Sequence, residues 1–159
     1  MVRLYGRSKK GERARGERPQ QKGKNVSIIS AISLEGVIAE SVLVGGTNAM
    51  TFEAFISQKL LPQLREENTV LMDNCSIHKG KKIREMIESV GAKLIYIPTY
   101  SPEYNPIEQM WSKIKSILQG LSARTYPDLA KAIEIAFERI SLNDIHNWFT
   151  HSYSCTSLD

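Results

Sequence analysis

The sequence contains few cysteines and no long apolar run. Two cysteines among 159 residues, Cys75 and Cys155, exclude a disulfide-stabilised secreted fold, so a reducing cytoplasm is the expected compartment. No stretch approaches the ~18 to 20 consecutive apolar residues of a membrane helix, and no apolar segment follows the charged N-terminus. A glycine-rich phosphate loop and a nucleophile elbow are also missing, which argues against a small-molecule enzyme that uses Asp73 and His78.

Positive charge is concentrated at the start of the chain. Residues 1–24 carry nine Lys or Arg against two Glu, a net charge of +7, whereas residues 25–159 carry twelve against fifteen acids, a net charge of −3. We therefore expect a basic arm over 1–24 that leads into one domain over 25–159. A basic arm favours a nucleic acid partner, but most charge runs only solvate a surface, so the arm alone does not decide between the two.

Apolar periodicity predicts alternating strands and helices. The pattern indicates a hairpin over 26–44, a helix over about 48–67, a strand over 69–73, a helix that ends at Gly91, a strand over 93–97, helices that begin at Pro106 and Pro127, and a short closing segment through Trp148 and Phe149. This order predicts an α/β fold with a mixed sheet. Ligands of such sheets bind at the carboxyl ends of the parallel strands, where Asp73 lies.

Two acidic residues occupy positions that need an explanation. Asp73 ends an apolar strand, where it either caps the following loop or takes a charged or metal partner. Glu108 is the third residue of a helix that begins after Asn105, so it either completes a capping box with Asn105 or ligates a metal. The thirty-four residues between the two acids contain a helix, a strand and a proline-rich loop, enough to return the chain to the same end of the sheet.

The residues around both acids form specific motifs. The run MDNCSIH from Met72 to His78 and the run IPTYSPEYNPIEQMW from Ile97 to Trp111 resemble the second and third acidic motifs of DDE transposases. The match is to the bacterial insertion-sequence branch of the mariner-like superfamily, and it covers essentially the whole chain. The resemblance implies an RNase H-like mixed sheet flanked by helices, and DNA strand cleavage and strand transfer by metal-dependent phosphoryl transfer.

The resemblance also implies the site residues and partners. Asp73 and Glu108 would be catalytic and would bind two Mg²⁺ or Mn²⁺ ions, which can stabilise both the attacking and the leaving oxygen of an in-line displacement. Asn74, His78 and Asn105 would support them, although a lone loop histidine is more often a local hydrogen-bonding residue. The implied partners are DNA, at element ends and target, and a second copy or a full-length transposase. Candidate phosphate contacts are Arg7, Lys9, Lys10, Arg13, Arg15, Arg18, Lys113 and Lys115.

One acid of the family pattern is missing. The family takes its first acid from the first strand of the sheet, but no Asp precedes Asp73, and Glu35 and Glu40 flank the hairpin turn and its second strand. We therefore expect the chain to begin after that central strand. Three explanations are open: a decayed element, a misassigned gene start, and the downstream frame of an element that uses frameshifting.

Two other functions compete with a transposase catalytic domain. A non-catalytic DNA-binding or regulatory transposase fragment would bind DNA through the basic arm, with a steep salt dependence and without a contribution from Asp73. Another RNase H-like nuclease is disfavoured by the proline loop and its spacing to Glu108.

We predict that the chain alone is poorly stable and has no strand-transfer activity. Loss of a central strand leaves unpaired backbone groups on two neighbours and removes a row of core side chains, a loss that can exceed the ~5 to 15 kcal/mol stability of a whole domain. Circular dichroism during heating should show a broad transition at low temperature. A cooperative transition with a high midpoint would contradict this prediction.

Overall fold

The computed structural model describes residues 8–13 and 23–154 of the chain. In chain order its strands and α-helices are β1 (Val26–Ser33), β2 (Gly36–Val44), α1 (Ala49–Phe55), β3 (Thr69–Met72), α2 (Lys81–Ser89), β4 (Lys93–Tyr96), α3 (Pro106–Leu121), α4 (Tyr126–Glu138) and α5 (Leu142–Ser154). A π-helical turn (Ile56–Leu60) and a 3-10 turn (Leu61–Gln63) continue α1, and two further 3-10 turns span Ser76–His78 and Pro102–Tyr104. The order agrees with the alternation that the apolar pattern predicts.

Two helices differ from their predicted bounds. The helix expected to reach Glu67 ends at Gln63, where Leu64 adopts an extended backbone with a ψ of 145°. Pro62 has no amide hydrogen and its ring crowds the preceding turn, which disfavours regular α-helical geometry before it. The closing segment forms the thirteen-residue helix α5 and is not short. Ser141 and Asp144 form a capping box at its start, with the Asp144 amide donating to Ser141 Oγ and the Ser141 amide donating to Asp144 Oδ2.

The strands form one antiparallel and one parallel pair. In the hairpin, Val26 lies opposite Val44 and Ser33 opposite Gly36, with a bulge between Ala31 and Ile32. In the parallel pair, β3 and β4 run in register from Thr69 opposite Lys93 to Met72 opposite Tyr96. The expected single mixed sheet is therefore divided into two two-stranded sheets, because no strand in the described residues is hydrogen-bonded to both pairs.

The chain divides into two compact units, residues 1–23 with 110–140 and residues 24–109 with 141–159. In the second unit, apolar side chains from the hairpin, the α1 region, α2 and the parallel strands share one core, formed by Ala39, Phe52, Phe55, Ile56, Leu60, Met72, Ile83, Ile87, Ala92 and Leu94. In the first unit, α3 buries Met110, Ile114 and Leu118, which are spaced along one helix face as predicted. The candidate site lies in the second unit.

Gly91 holds the beginnings of the two parallel strands together. Its φ of 80° is in the left-handed region that favours glycine, and its carbonyl accepts from the Glu67 amide at 3.2 Å. A Cβ at this position would lie 2.8 Å from Glu66 Cγ and 3.3 Å from Glu66 Cα. Two residues later, the Lys93 amide donates to the Asn68 carbonyl at 2.8 Å, which starts the ladder between β3 and β4.

We predict that Gly91→Ala lowers the free energy of unfolding by about 1 to 2 kcal/mol, because alanine adopts a positive φ at a cost and crowds Glu66. Urea unfolding followed by circular dichroism measures the change. The matched control is Gly46→Ala, where no atom lies within 4 Å of the added Cβ, and its effect should stay within about 0.5 kcal/mol. Equal losses for the two variants would contradict this account of Gly91.

Candidate active site

Asp73 lies at the carboxyl end of β3. The neighbouring strand β4 ends at the same edge, where the Ile97 amide donates to the Met72 carbonyl at 2.8 Å. Successive side chains of a strand point to opposite faces, so Met72 is buried while the Asp73 side chain is half exposed. The carboxylate therefore keeps contact with water and avoids the cost of burying a charge.

Both hydrogen bonds to the Asp73 carboxylate end on the same oxygen. The Cys75 amide donates to Oδ1 at 3.2 Å, and Nδ1 of His78 lies 2.5 Å from that oxygen. No hydrogen bond reaches Oδ2 from any residue that the structure describes. Asp73 thus caps the following loop through one oxygen, as one sequence interpretation expects, and keeps the second oxygen available for a cation or water.

Groups from three parts of the chain hold the ring and the backbone of His78. It packs on the Phe52 ring of α1, with centroids 4.2 Å apart, and its own backbone carbonyl accepts from the Tyr96 hydroxyl at 2.7 Å. Only 19% of its side chain is exposed. An ionised carboxylate can only accept, so a neutral His78 beside it must carry its proton on Nδ1.

Two asparagines lie along the path from Asp73 to Glu108. Asn74 Nδ2 is 3.5 Å from Thr99 Oγ1, a long contact that brings the loop after β3 to the loop after β4. Asn105 is buried immediately before α3, and its backbone amide donates to the Pro102 carbonyl at 3.0 Å. The turn Pro102–Tyr104 also contacts α5, so the helix that the sequence pattern underestimates supports this loop.

Glu108 is exposed in the first turn of α3. The capping box that the sequence allows is not formed. The backbone amide of Asn105, which would donate to the Glu108 carboxylate in that box, donates to the Pro102 carbonyl instead. Within residues 8–13 and 23–154, the Glu108 carboxylate makes no hydrogen bond or ion pair. The capping alternative is therefore wrong, and the local structure leaves this carboxylate to another role.

The described residues include two acids of the motif pattern, Asp73 and Glu108. Among the described residues, no group of three or more His, Cys, Asp or Glu side chains is placed to hold a metal ion. Asp73 and Glu108 belong to the same unit of the chain. They offer oxygen ligands of the kind that Mg²⁺ and Mn²⁺ prefer, and the donor chemistry fits such a cation.

The basic candidates that the structure describes belong to the other unit. Lys9, Lys10 and Arg13 are exposed in the turn at 8–13, and Lys115 is exposed on α3 while Lys113 is partly buried. The remaining candidates, Arg7, Arg15 and Arg18, lie outside the described residues.

Sequence reasoning missed three residues that support the acids: Phe52 under the His78 ring, Tyr96 at its carbonyl and Thr99 beside Asn74. Tyr96 shares a strand face with buried Leu94, and Phe52 lies on the apolar stripe of α1, so both look like ordinary core residues. Periodicity shows that such residues face inward, but it does not show which polar group they contact.

Comparison with known proteins identifies the class of protein. Residues 1–130 match the DDE superfamily endonuclease family, and the chain belongs to that family. In fold it is similar to the Mos1 transposase in a paired-end complex with left transposon end, with a TM-score of 0.75 and 20% identity over 98% of this chain and 50% of that chain.

Two further structures show the same fold. The Mos1 strand transfer complex gives a TM-score of 0.73 and 19% identity over 98% of this chain and 49% of that chain. The Mos1 catalytic domain with Raltegravir and Mn gives 0.65 and 18% over 84% of this chain and 75% of that chain. These similarities confirm the predicted RNase H-like α/β fold, and the chain spans about half the length of the full Mos1 chains.

No protein of curated function matches the sequence. Among the helices of the described segments, none has both the length and the apolar content needed to cross a membrane.

We predict that His78 carries its proton on Nδ1 at alkaline pH, where histidine side chains are ordinarily neutral. Long-range ¹H–¹⁵N spectra of the imidazoles report the tautomer directly. The exposed His146 of α5 is the internal reference and should show both tautomers. Asp73→Ala should return His78 to the same mixture, and a parent His78 that already resembles His146 would contradict the Asp73 contact.

Proposed function

We propose that this chain is the catalytic part of a DNA transposase, in which Asp73 and Glu108 promote cleavage and joining of DNA strands by phosphoryl transfer. One observation carries the proposal. The two motif acids each present a carboxylate oxygen that no neighbouring group engages, within the described residues of a chain that belongs to an endonuclease family. An acid that acted only as a loop or helix cap would have its oxygens engaged by backbone amides, as Asp73 Oδ1 is.

Asp73 and Glu108 would hold a divalent cation, Mg²⁺ or Mn²⁺, through the oxygens that remain available. When bound in pairs, such cations stabilise charge on the attacking and leaving oxygens of a phosphodiester. The Mos1 catalytic domain has been solved with Mn and with Mg, which supports this choice of ions. Because the described residues supply two carboxylates and no third, we propose that the two-ion site is incomplete with these residues alone.

The remaining residues of the site would position the acids. His78 and the Cys75 amide would fix one oxygen of Asp73, so that its other oxygen keeps a constant orientation. Asn74 would hold the two loops together through Thr99, and Asn105 would set the start of the helix that carries Glu108. Polar contacts of this kind orient metal ligands in many proteins.

DNA is the proposed substrate and partner. The basic arm and the exposed Lys9, Lys10, Arg13 and Lys115 suit phosphate contacts, and the Mos1 structure of similar fold contains a transposon end. A second copy of the chain or a full-length transposase is the proposed protein partner. We propose a cytoplasmic location, because two cysteines are too few for a disulfide framework and Cys75 is free among the described residues.

A second candidate function is a DNA-binding regulatory fragment of a transposase. The observation in its favour is the absence of a third acid beside Asp73 and Glu108 within the described residues. Such a fragment would bind DNA equally well with either acid replaced, and neither replacement would weaken Mn²⁺ binding.

We predict that Asp73→Asn and Glu108→Gln each weaken Mn²⁺ binding at least about tenfold, because each removes a charged oxygen ligand. Electron paramagnetic resonance of free Mn²⁺ in titrations with the full chain measures the affinity. The matched control is Glu103→Gln, which removes an exposed carboxylate from the turn before α3 and should leave binding unchanged.

Mn²⁺ affinities of the two variants that equal the affinity of the parent would contradict the proposed site. Loss of Mn²⁺ binding with unchanged DNA affinity is the expected combined result, since the acids and the basic arm act separately. A loss that also occurs in Glu103→Gln would mean that the ions bind to general negative charge, which contradicts a specific site.

A further inference from the structure

Tyr100 lies in the loop between β4 and α3 with its side chain almost completely in water. Its residue exposure is 98%, the highest among the large apolar and aromatic residues of the described chain, and the next, Met50, is 78% exposed. Tyr104 in the same loop is partly buried, so the loop can shelter an aromatic ring. Exposure of a single apolar side chain is common, however, and is no evidence of function by itself.

The backbone of Tyr100 supplies an independent observation. Its φ of 63° lies in the left-handed region, which glycine adopts readily and bulky residues adopt rarely. The described non-glycine residues that share a positive φ are Glu67 and Ser122, both polar. A glycine at position 100 would take this conformation with less strain, so an aromatic residue occupies a position whose backbone conformation favours glycine. Such strain is typical of functional positions.

The loop places this ring beside the candidate active site. Thr99, the residue before Tyr100, contacts Asn74, and Asn74 follows Asp73 directly in the chain. On the other side of Tyr100, the loop continues through the turn Pro102–Tyr104 to the helix that carries Glu108. The exposed ring therefore belongs to the segment that connects the two acids.

We propose that Tyr100 stacks on an unpaired DNA base next to the strand end on which Asp73 and Glu108 act. The inference rests on the proposed function, because it takes DNA as the substrate. A ring with both faces in water offers a flat apolar surface to any base, without sequence preference. An unpaired base is the fitting ligand, since the faces of paired bases are covered by their neighbours in the stack.

The test uses the full chain and fluorescence anisotropy with two DNAs, a blunt duplex and the same duplex with a short single-stranded overhang. Stacking of one base is worth about 1 to 3 kcal/mol, so Tyr100→Ala should weaken binding to the overhang DNA about 5- to 150-fold. Binding to the blunt duplex should change little. Tyr100→Phe keeps the ring and should bind the overhang DNA as the parent does.

Salt dependence separates stacking from charge. Tyr100→Ala should lower the affinity by the same factor at every salt concentration, because no phosphate contact is lost. Lys115→Ala, by contrast, should reduce the slope of log affinity against log salt by about one if Lys115 binds a phosphate.

Glycine substitutions separate the ring from the loop conformation. Tyr100→Gly should lose affinity for overhang DNA as Tyr100→Ala does, while its thermal unfolding midpoint stays equal to that of the parent or rises. The matched control, Glu67→Gly, relaxes a φ of 77° before β3, at the end of the strand away from Asp73, and should leave DNA binding unchanged.

The outcomes distinguish the inference from the function on which it rests. If the parent binds overhang DNA and Tyr100→Ala binds it equally well, Tyr100 does not stack and the proposed function stands. If Tyr100→Phe loses as much affinity as Tyr100→Ala, the hydroxyl makes the contact and stacking is wrong. If the parent binds neither DNA at low salt, the proposed DNA substrate itself is contradicted.

Discussion

The parallel pairing of β3 and β4 is the constraint on which the candidate site depends. It is closed at one end by Gly91, whose left-handed backbone lets the chain turn against Glu66, and at the other by the bond from Ile97 to Met72. Because the ladder is parallel, Asp73 and the loop toward Glu108 leave it at one edge. A shift of one residue in register would move Met72 out of the core and Asp73 into it.

Much of this arrangement could be predicted from the sequence. Strand and helix order follows from apolar periodicity, and the two acids stand out because each occupies a position where a charge needs a reason. Open edges on two strands are expected once a central strand is missing, but the partner of each strand is not predictable from periodicity, which describes one strand at a time. The thirteen-residue α5 was underestimated because its polar residues obscure the buried pair Ile145 and Trp148, although Ser141 and Asp144 carry a capping signal.

Contacts across the chain limit what sequence reasoning can reach. His78 is oriented by Phe52, 26 residues before it, and by Tyr96, 18 residues after it, and both look like core residues in their own segments. The core to which they belong or against which they pack therefore also orients a polar side chain near the surface. For this reason the packing of α1 and β4 is part of the candidate site, even though neither element carries Asp73 or Glu108.

The two acids illustrate how local structure and chemistry compete for the same oxygens. Asp73 has enough acceptor capacity to do both, because the loop and His78 use only Oδ1. Glu108 does not cap the helix, because the Pro102 carbonyl accepts the hydrogen bond from the Asn105 backbone amide that a capping glutamate would accept. The proline turn before α3 thus affects the chemistry of the site. Its internal hydrogen bond engages the Asn105 backbone amide at the start of the helix, and the Glu108 carboxylate stays in water. At Glu108 a backbone carbonyl therefore takes the place of a capping side chain, whereas Asp73 caps its loop with one oxygen and keeps the other.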